Sequence, residues 1–167
     1  ELKELLCTND LYFQSAPSQE SAAERAKEYS RQVTESIRQA ARTVDYRAVS
    51  DLCREIRRYP RTAVFGLLKA GSVALNLQGD LLMLGKQVYT NISYAQQIQY
   101  ILSATPEDLI LIFSYTGSYF DYQNMKPYRK QLSVPRIWMV SGGDQKSQPY
   151  VDRVIRFQSP HDQISHP

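Results

Sequence analysis

The chain has 167 residues, 43% of them hydrophobic and 22% charged, with a net charge of +3. That length buries a sizeable core in one domain, and the composition is that of an ordinary globular protein. The charge is too mild to imply nucleic-acid binding by this segment, and no apolar run approaches the roughly 20 residues of a membrane helix. The opening Glu1-Leu-Lys-Glu-Leu is charged and amphipathic, unlike a signal peptide, so a cytoplasmic protein is expected. Cys7 and Cys53 lie far apart and fit no metal or redox spacing, which reads as free thiols. His161 and His166 are the only histidines and both fall in the last few residues. A histidine-based metal or triad site in the body of the domain is thereby excluded, and no cofactor is expected.

In chain order, residues 1–6 read as the end of a helix that begins without a cap. Residues 9–15, Asn-Asp-Leu-Tyr-Phe-Gln-Ser, resemble a protease-tag site or a natural linker, and residues 15–21 read as linker. Ser21-x-x-Glu24 is a capping box. Ala22, Ala26, Tyr29, Val33, Ile37, Ala40 and Val44 then recur at helical steps and give one apolar face. Asp45 is placed to cap a second helix with Val49, Leu52, Cys53 and Ile56 inward. Its Arg47, Arg54, Arg57 and Arg58 read as a solvated cationic face. Tyr59-Pro60 ends it, because the residue before proline is pushed out of the α region.

From there the rhythm is α/β. Residues 62–66 form a short strand ending at Gly66, followed by a helix over 71–84 that Gly85 closes. Residues 87–90 read as a second strand, and Ser93 opens a helix carrying Ala95, Ile98, Ile101 and Leu102. Residues 109–113, Leu-Ile-Leu-Ile-Phe, are an unbroken apolar run, the signature of a strand buried on both faces. Residues 135–140 and 152–157 are two further strands, the last alternating apolar and charged like a sheet edge. Residues 141–149 and 158–167 read as polar and irregular. Strands alternating with helices imply a parallel sheet with right-handed crossovers. The expected fold is a three-layer α/β/α sandwich with a five-stranded parallel sheet, preceded by a helical segment.

The central run stops at Ser114-Tyr-Thr-Gly-Ser118, and helix-compatible sequence follows over 119–131. Hydroxyls and a glycine between a buried strand and a helix offer N–H and O–H donors where the helix dipole favours an anion. Such a turn lies at the carboxyl end of a parallel strand, where open α/β folds bind ligands. The same hydroxyls also suit a plain helix cap, and spacing alone leaves both roles open.

At these residues the chain resembles the SIS (sugar isomerase) domain. That pattern has a first strand ending in Phe-Gly-x-Gly-x-Ser, a helix ending near Leu-x-x-x-Gly, and a buried strand ending in Ser-x-Ser-Gly-x-Thr. Here stand Phe65-Gly66, Val73-Ala74, Leu81 to Gly85, and Ser114-Tyr115-Thr116-Gly117. The match covers residues 61–157. The preceding helices resemble the form found in RpiR/MurR-type bacterial transcription regulators, and Glu1-Leu-Lys-Glu-Leu-Leu6 resembles the tail of their N-terminal helix-turn-helix domain. The resemblance implies residues 1–20 as tail and linker, and 21–167 as an effector-binding domain with its sheet core at 61–157. It implies a homodimer or higher assembly, no membrane association, and DNA contact through a helix-turn-helix domain outside this sequence. It also implies a sugar phosphate or related small anion at Gly66, Lys69, Gly71, Ser72, Ser114, Tyr115, Thr116, Gly117, Ser118 and Tyr119. The chain departs from the pattern with Leu68 at the second glycine, Ala70 at the serine and Tyr119 at the final threonine. A tyrosine there either narrows a pocket or stacks on a sugar face.

Sensing is favoured over catalysis. An aldose–ketose isomerase on the same fold needs a general base within reach of its sugar. Glu107 stands at the wrong end of the central strand, and Asp121 reads as a helix N-terminal charge. A dimerisation-only domain with a degenerate pocket is the remaining alternative.

Overall fold

The computed structural model describes residues 21–120, 125–142 and 148–158. The expectations for residues 1–20, Asp121, His161 and His166 lie outside the described residues. The described chain falls into two units that divide between Glu35 and Ser36.

The division falls within helix α1 (Ala22–Thr43), whose start, in the first unit, carries the expected capping box. Ser21 N–H donates to Glu24 Oε2 at 2.7 Å, and Glu24 N–H donates to Ser21 Oγ at 3.3 Å. Two otherwise orphaned donors are thereby satisfied reciprocally.

The second unit is built on a four-stranded parallel sheet in the order β1 (Arg61–Gly66), β2 (Asp108–Phe113), β3 (Arg136–Gly142), β4 (Arg153–Phe157). The apolar run of β2 pairs in parallel on both sides, as its burial on both faces requires. Its side chains alternate between two cores. Ile110 and Ile112 join Ala63, Phe65, Ile137 and Met139 with Ile101 of helix α4 (Tyr94–Ser103). Leu109 and Leu111 join Val64, Trp138 and Ile155 with Leu52 and Ile56 of helix α2 (Tyr46–Arg58), and with Ala74 of helix α3 (Lys69–Met83). Each fully buried Leu, Ile or Phe contributes roughly 1.5–3 kcal/mol.

Asp45 caps α2 as expected, its Oδ1 accepting from the N–H groups of Arg47 at 2.9 Å and Ala48 at 3.2 Å. Within α2, Ala48, Leu52 and Ile56 turn inward, whereas Cys53 is exposed, contrary to the inward position expected for it. Helix α3 closes at Gly85, where Gly85 N–H donates to Leu82 O and Lys86 N–H to Leu81 O, both at 2.9 Å.

The expected five-stranded sheet is corrected to four. Of residues 87–90, only Tyr89 bridges β1, opposite Ala63. Tyr89 N–H donates to Thr62 O and Val64 N–H to Tyr89 O, both at 2.9 Å. The next carbonyl of the ladder, Val64 O, is taken instead by the Thr90 hydroxyl at 2.6 Å. A side chain that captures a ladder acceptor ends the strand. The helix expected over 119–131 is corrected at its start, and residues 121–124 of it lie outside the described residues. Tyr119 and Phe120 are non-helical and buried, Met125 is helical, and a 3₁₀ turn at Lys126–Tyr128 leads into the short helix α5 (Arg129–Leu132). Pro127 lacks the N–H an α-helix interior would use there.

At the amino end of the sheet, Asp108 is 2% exposed. Burial alone would raise its pKa, but the Thr105 N–H, the Arg61 guanidinium, and the Thr105 and Tyr100 hydroxyls all donate to it and hold it below the usual aspartate value. A depressed folded-state pKa adds stability above the unfolded pKa that is lost as pH falls through the folded one. Asp108→Asn is therefore expected to cost about 1–3 kcal/mol at pH 7, with the deficit shrinking below about pH 4. Urea melts of both proteins across that range check this, and a pH-independent difference contradicts it.

Candidate ligand-binding site

β1 ends at Gly66, which is paired with Phe113 at the end of β2. The turns leaving the two strands therefore emerge side by side at one edge of the sheet. Helix α3 begins almost at once, and its first turn closes on the loop through Ala70 N–H to Leu67 O at 3.1 Å and Gly71 N–H to Leu68 O at 3.0 Å. A Cβ on Gly66 would stand 2.4 Å from Ala70 O and 2.5 Å from its carbonyl carbon, so only glycine lets the helix start this close. Lys69 and Ser72 are exposed in that first turn.

Leu68 stands before α3 at φ 53° and ψ −126°, gives no side-chain cap, and is 91% exposed. This is the position of the second glycine in the sugar isomerase pattern. The backbone has the conformation that suits glycine, and the side chain is leucine. Such a residue carries about 1–3 kcal/mol of strain. Leu68→Gly is expected to stabilise the protein by about 1 kcal/mol after glycine's extra unfolded-state entropy, raising Tm by roughly 2–4 °C. A thermal melt checks this, and an unchanged or lower Tm contradicts it.

The second turn closes on itself. Ser114 N–H continues the ladder to Val140 O at 3.0 Å, and Ser114 Oγ donates to Ser118 O at 2.9 Å. Gly117 sits at φ 68° and donates its N–H to Ser114 O at 3.0 Å. The Ser114 hydroxyl and the Gly117 N–H, both expected to face a ligand, are thus engaged in shaping the turn. Thr116 Oγ1 accepts a long bond from Ser118 N–H at 3.4 Å, and among the described residues its own hydroxyl hydrogen has no acceptor. Ser118 is exposed. Tyr115 turns toward β3 and β4: its carbonyl accepts from Gly142 N–H at 3.0 Å, and its ring lies edge-on to Phe157 at 6.2 Å.

Tyr119 offers no ring face to a sugar, because it is 5% exposed and packed edge-on against Tyr94 and Phe120. Burial pushes its phenol far above the ordinary value, so it stays a donor. Its hydroxyl donates to Oε1 of Gln97, a fully buried α4 side chain. Gln97 Nε2 donates in turn to Gly66 O at 3.0 Å and Asn91 O at 2.5 Å. Gly66, Ser114 and Tyr119 are thus brought together, with Lys69, Gly71 and Ser72 on the adjoining helix start, while Tyr115 looks away. Sequence reasoning missed Gln97. The signal was its place one helical turn before buried Ile101 on an otherwise apolar face.

The carboxylate Glu107 precedes β2, at the opposite edge of the sheet from the turns. A shallow depression of about 440 Å³ on α2 is lined by Tyr46, Arg47, Ser50, Asp51 and Arg54, none of them an expected site residue. There Asp51 pairs with Arg54 and with Arg153, whose guanidinium lies 5.0 Å from the Trp138 ring centre.

No protein-family model matches the chain, and no curated protein matches it by sequence. Solved structures do match its fold. The Vibrio vulnificus NanR protein complexed with ManNAc-6P superposes with a TM-score of 0.68 at 12% identity, over 83% of this chain and 53% of that one. The sugar isomerase domain of the RpiR transcription factor from Sphaerobacter thermophilus gives 0.56 at 17% identity, over 80% and 75%. A phosphoheptose isomerase from Francisella tularensis gives 0.58 at 12% identity, over 88% and 90%. The chain spans about half the length of NanR.

Proposed function

We propose that this chain, which has the fold of a sugar isomerase domain, is the effector-sensing part of a bacterial transcription regulator. Its ligand is a sugar phosphate or related small anion, held between the turns at 66–72 and 114–119. The observation that carries this is the pairing of Gly66 with Phe113, which sets two hydroxyl- and glycine-bearing turns side by side. Thr116 and Ser118 supply hydroxyl donors on one side, and Lys69 and Ser72 supply charge and a hydroxyl on the other. The ligand's binding alters DNA contact by a helix-turn-helix domain outside this sequence, in a cytoplasmic two-fold dimer that uses helix α1. Residues 22–30 of that helix are exposed, Tyr29 at 56%, which suits a surface covered by a second copy. Sedimentation at a single mass of one chain would remove the dimer from this proposal.

The NanR and RpiR likenesses support sensing, and the phosphoheptose isomerase likeness supports an enzyme. Sensing is favoured because an isomerase needs an acid–base group at the sugar, while the chain's two histidines are residues 161 and 166 and Glu107 is at the far edge. The reading of a dimerisation domain with a degenerate pocket draws on Leu68 and on the engaged Ser114 hydroxyl.

A thermal-shift screen with N-acetylmannosamine 6-phosphate, fructose 6-phosphate, arabinose 5-phosphate and inorganic phosphate tests the proposal. At 100 times Kd a ligand adds about 2.7 kcal/mol, roughly 5–10 °C in Tm. At least one sugar phosphate is expected to do so without being turned over. No shift with any of them contradicts ligand sensing. Turnover that disappears in Asp121→Asn makes the protein an isomerase instead.

A further inference from the structure

We infer that Gln97 is a positioning residue that holds the two turns of the candidate site at a fixed separation, with Tyr119 as its lock. The chemistry of the contacts leaves one arrangement. Gly66 O and Asn91 O are carbonyls and only accept, so the Gln97 amide must present both N–H bonds to them, at 3.0 and 2.5 Å. Oε1 is then left facing Tyr119, and the phenol must donate. The amide has no exposure to water, so each of these bonds has no solvent substitute. One side chain thereby ties together the end of β1, the segment that follows the Tyr89 bridge, and the turn that follows β2.

The tie is reinforced from the other side. Tyr94, three residues before Gln97 on α4, donates its hydroxyl to Tyr119 O at 3.4 Å. Tyr119 and Phe120 continue into an edge-on ring row that ends at Tyr150, whose hydroxyl accepts from Phe120 N–H at 3.4 Å. Residue 119, which carries a threonine hydroxyl in the sugar isomerase pattern, is therefore withdrawn into the core. It acts on a ligand through the spacing it enforces. The functional meaning of this tie rests on the two-turn ligand site proposed above, whereas the tie itself is testable without ligand.

The test is amide hydrogen exchange on the ligand-free chain, comparing wild type with Tyr119→Phe, which removes only the hydroxyl, and Gln97→Met, which keeps length and removes the amide. Relative to the amides of β2, exchange in Tyr119→Phe is expected to rise about tenfold in residues 114–120 and also in residues 66–71. A rise confined to 114–120 overturns the inference, because the hydroxyl would then anchor only its own turn. Should Gln97→Met fail to fold, the Tyr119→Phe pattern decides alone. Titration with N-acetylmannosamine 6-phosphate adds a functional readout: Tyr119→Phe should bind about tenfold more weakly. Equal affinity despite raised exchange at both turns overturns the positioning role. A wild type that binds no sugar phosphate sinks the ligand proposal, and the exchange pattern still decides the tie.

Discussion

Gly66→Ala is expected to cost about 3 kcal/mol or more and to lower Tm by roughly 6–12 °C. The added Cβ meets backbone, Ala70 O at 2.4 Å and its carbonyl carbon at 2.5 Å, with Gly71 N at 2.9 Å. No rotamer change relieves a backbone clash, so the first turn of α3 must move off the end of β1. Gly66 O is also an acceptor for Gln97, and displacing it disturbs that buried amide. Gly79→Ala is the control within the same helix. Nothing lies within 4 Å of a Cβ there, so removing a mid-helix glycine should stabilise by about 0.5–1 kcal/mol. Urea and thermal melts of the two variants should move in opposite directions. A Gly66→Ala protein as stable as wild type would mean that the close approach of helix and strand is not what this position requires.

The parts of the fold that could be read from the residues are those decided locally. The run 109–113 is short and unbroken in its apolar residues, as suits a strand buried on both faces, and β2 pairs in parallel with β1 on one side and β3 on the other. Ser21 with Glu24, Asp45, and Gly85 mark helix ends through hydrogen bonds to their own neighbours, and all three make those bonds. What was hidden is decided between segments. Residues 87–90 have strand-like sequence, but the Thr90 hydroxyl takes the carbonyl on which a longer ladder depends. Residues 119 and 120 suit a helix by propensity, but both rings are drawn into the core beside α4. Gln97 shares the face of α4 that buries Ile101, but only the fold supplies the two carbonyls and the phenol that satisfy it.

The candidate site divides in the same way. That two turns follow the buried strands was legible, but spacing alone leaves open whether their hydroxyls hold a ligand or only cap the turn. Which donors stay available was not legible, since Ser114 and Gly117 spend theirs on the turn itself. Thr116 is therefore the residue on which ligand affinity should depend most. Thr116→Val keeps the shape and removes the hydroxyl. In the free protein it forfeits only a long bond from Ser118 N–H at 3.4 Å, so folding should change by less than about 1 kcal/mol. Toward a phosphate it removes a charge-assisted bond of roughly 1.5–3 kcal/mol, equivalent to roughly 10- to 100-fold in affinity. Ser114→Ala should do the reverse, lowering stability through the lost bond to Ser118 O at 2.9 Å more than it lowers affinity.

The most direct measurement is a calorimetric titration of wild type and Thr116→Val with the sugar phosphate that most raises the wild-type Tm. A loss of roughly 10- to 100-fold in affinity, with the melting temperature of the free protein nearly unchanged, is the expected result. Equal affinities would place the ligand elsewhere and leave the Ser114-Tyr-Thr-Gly-Ser118 turn as a structural corner of the sheet.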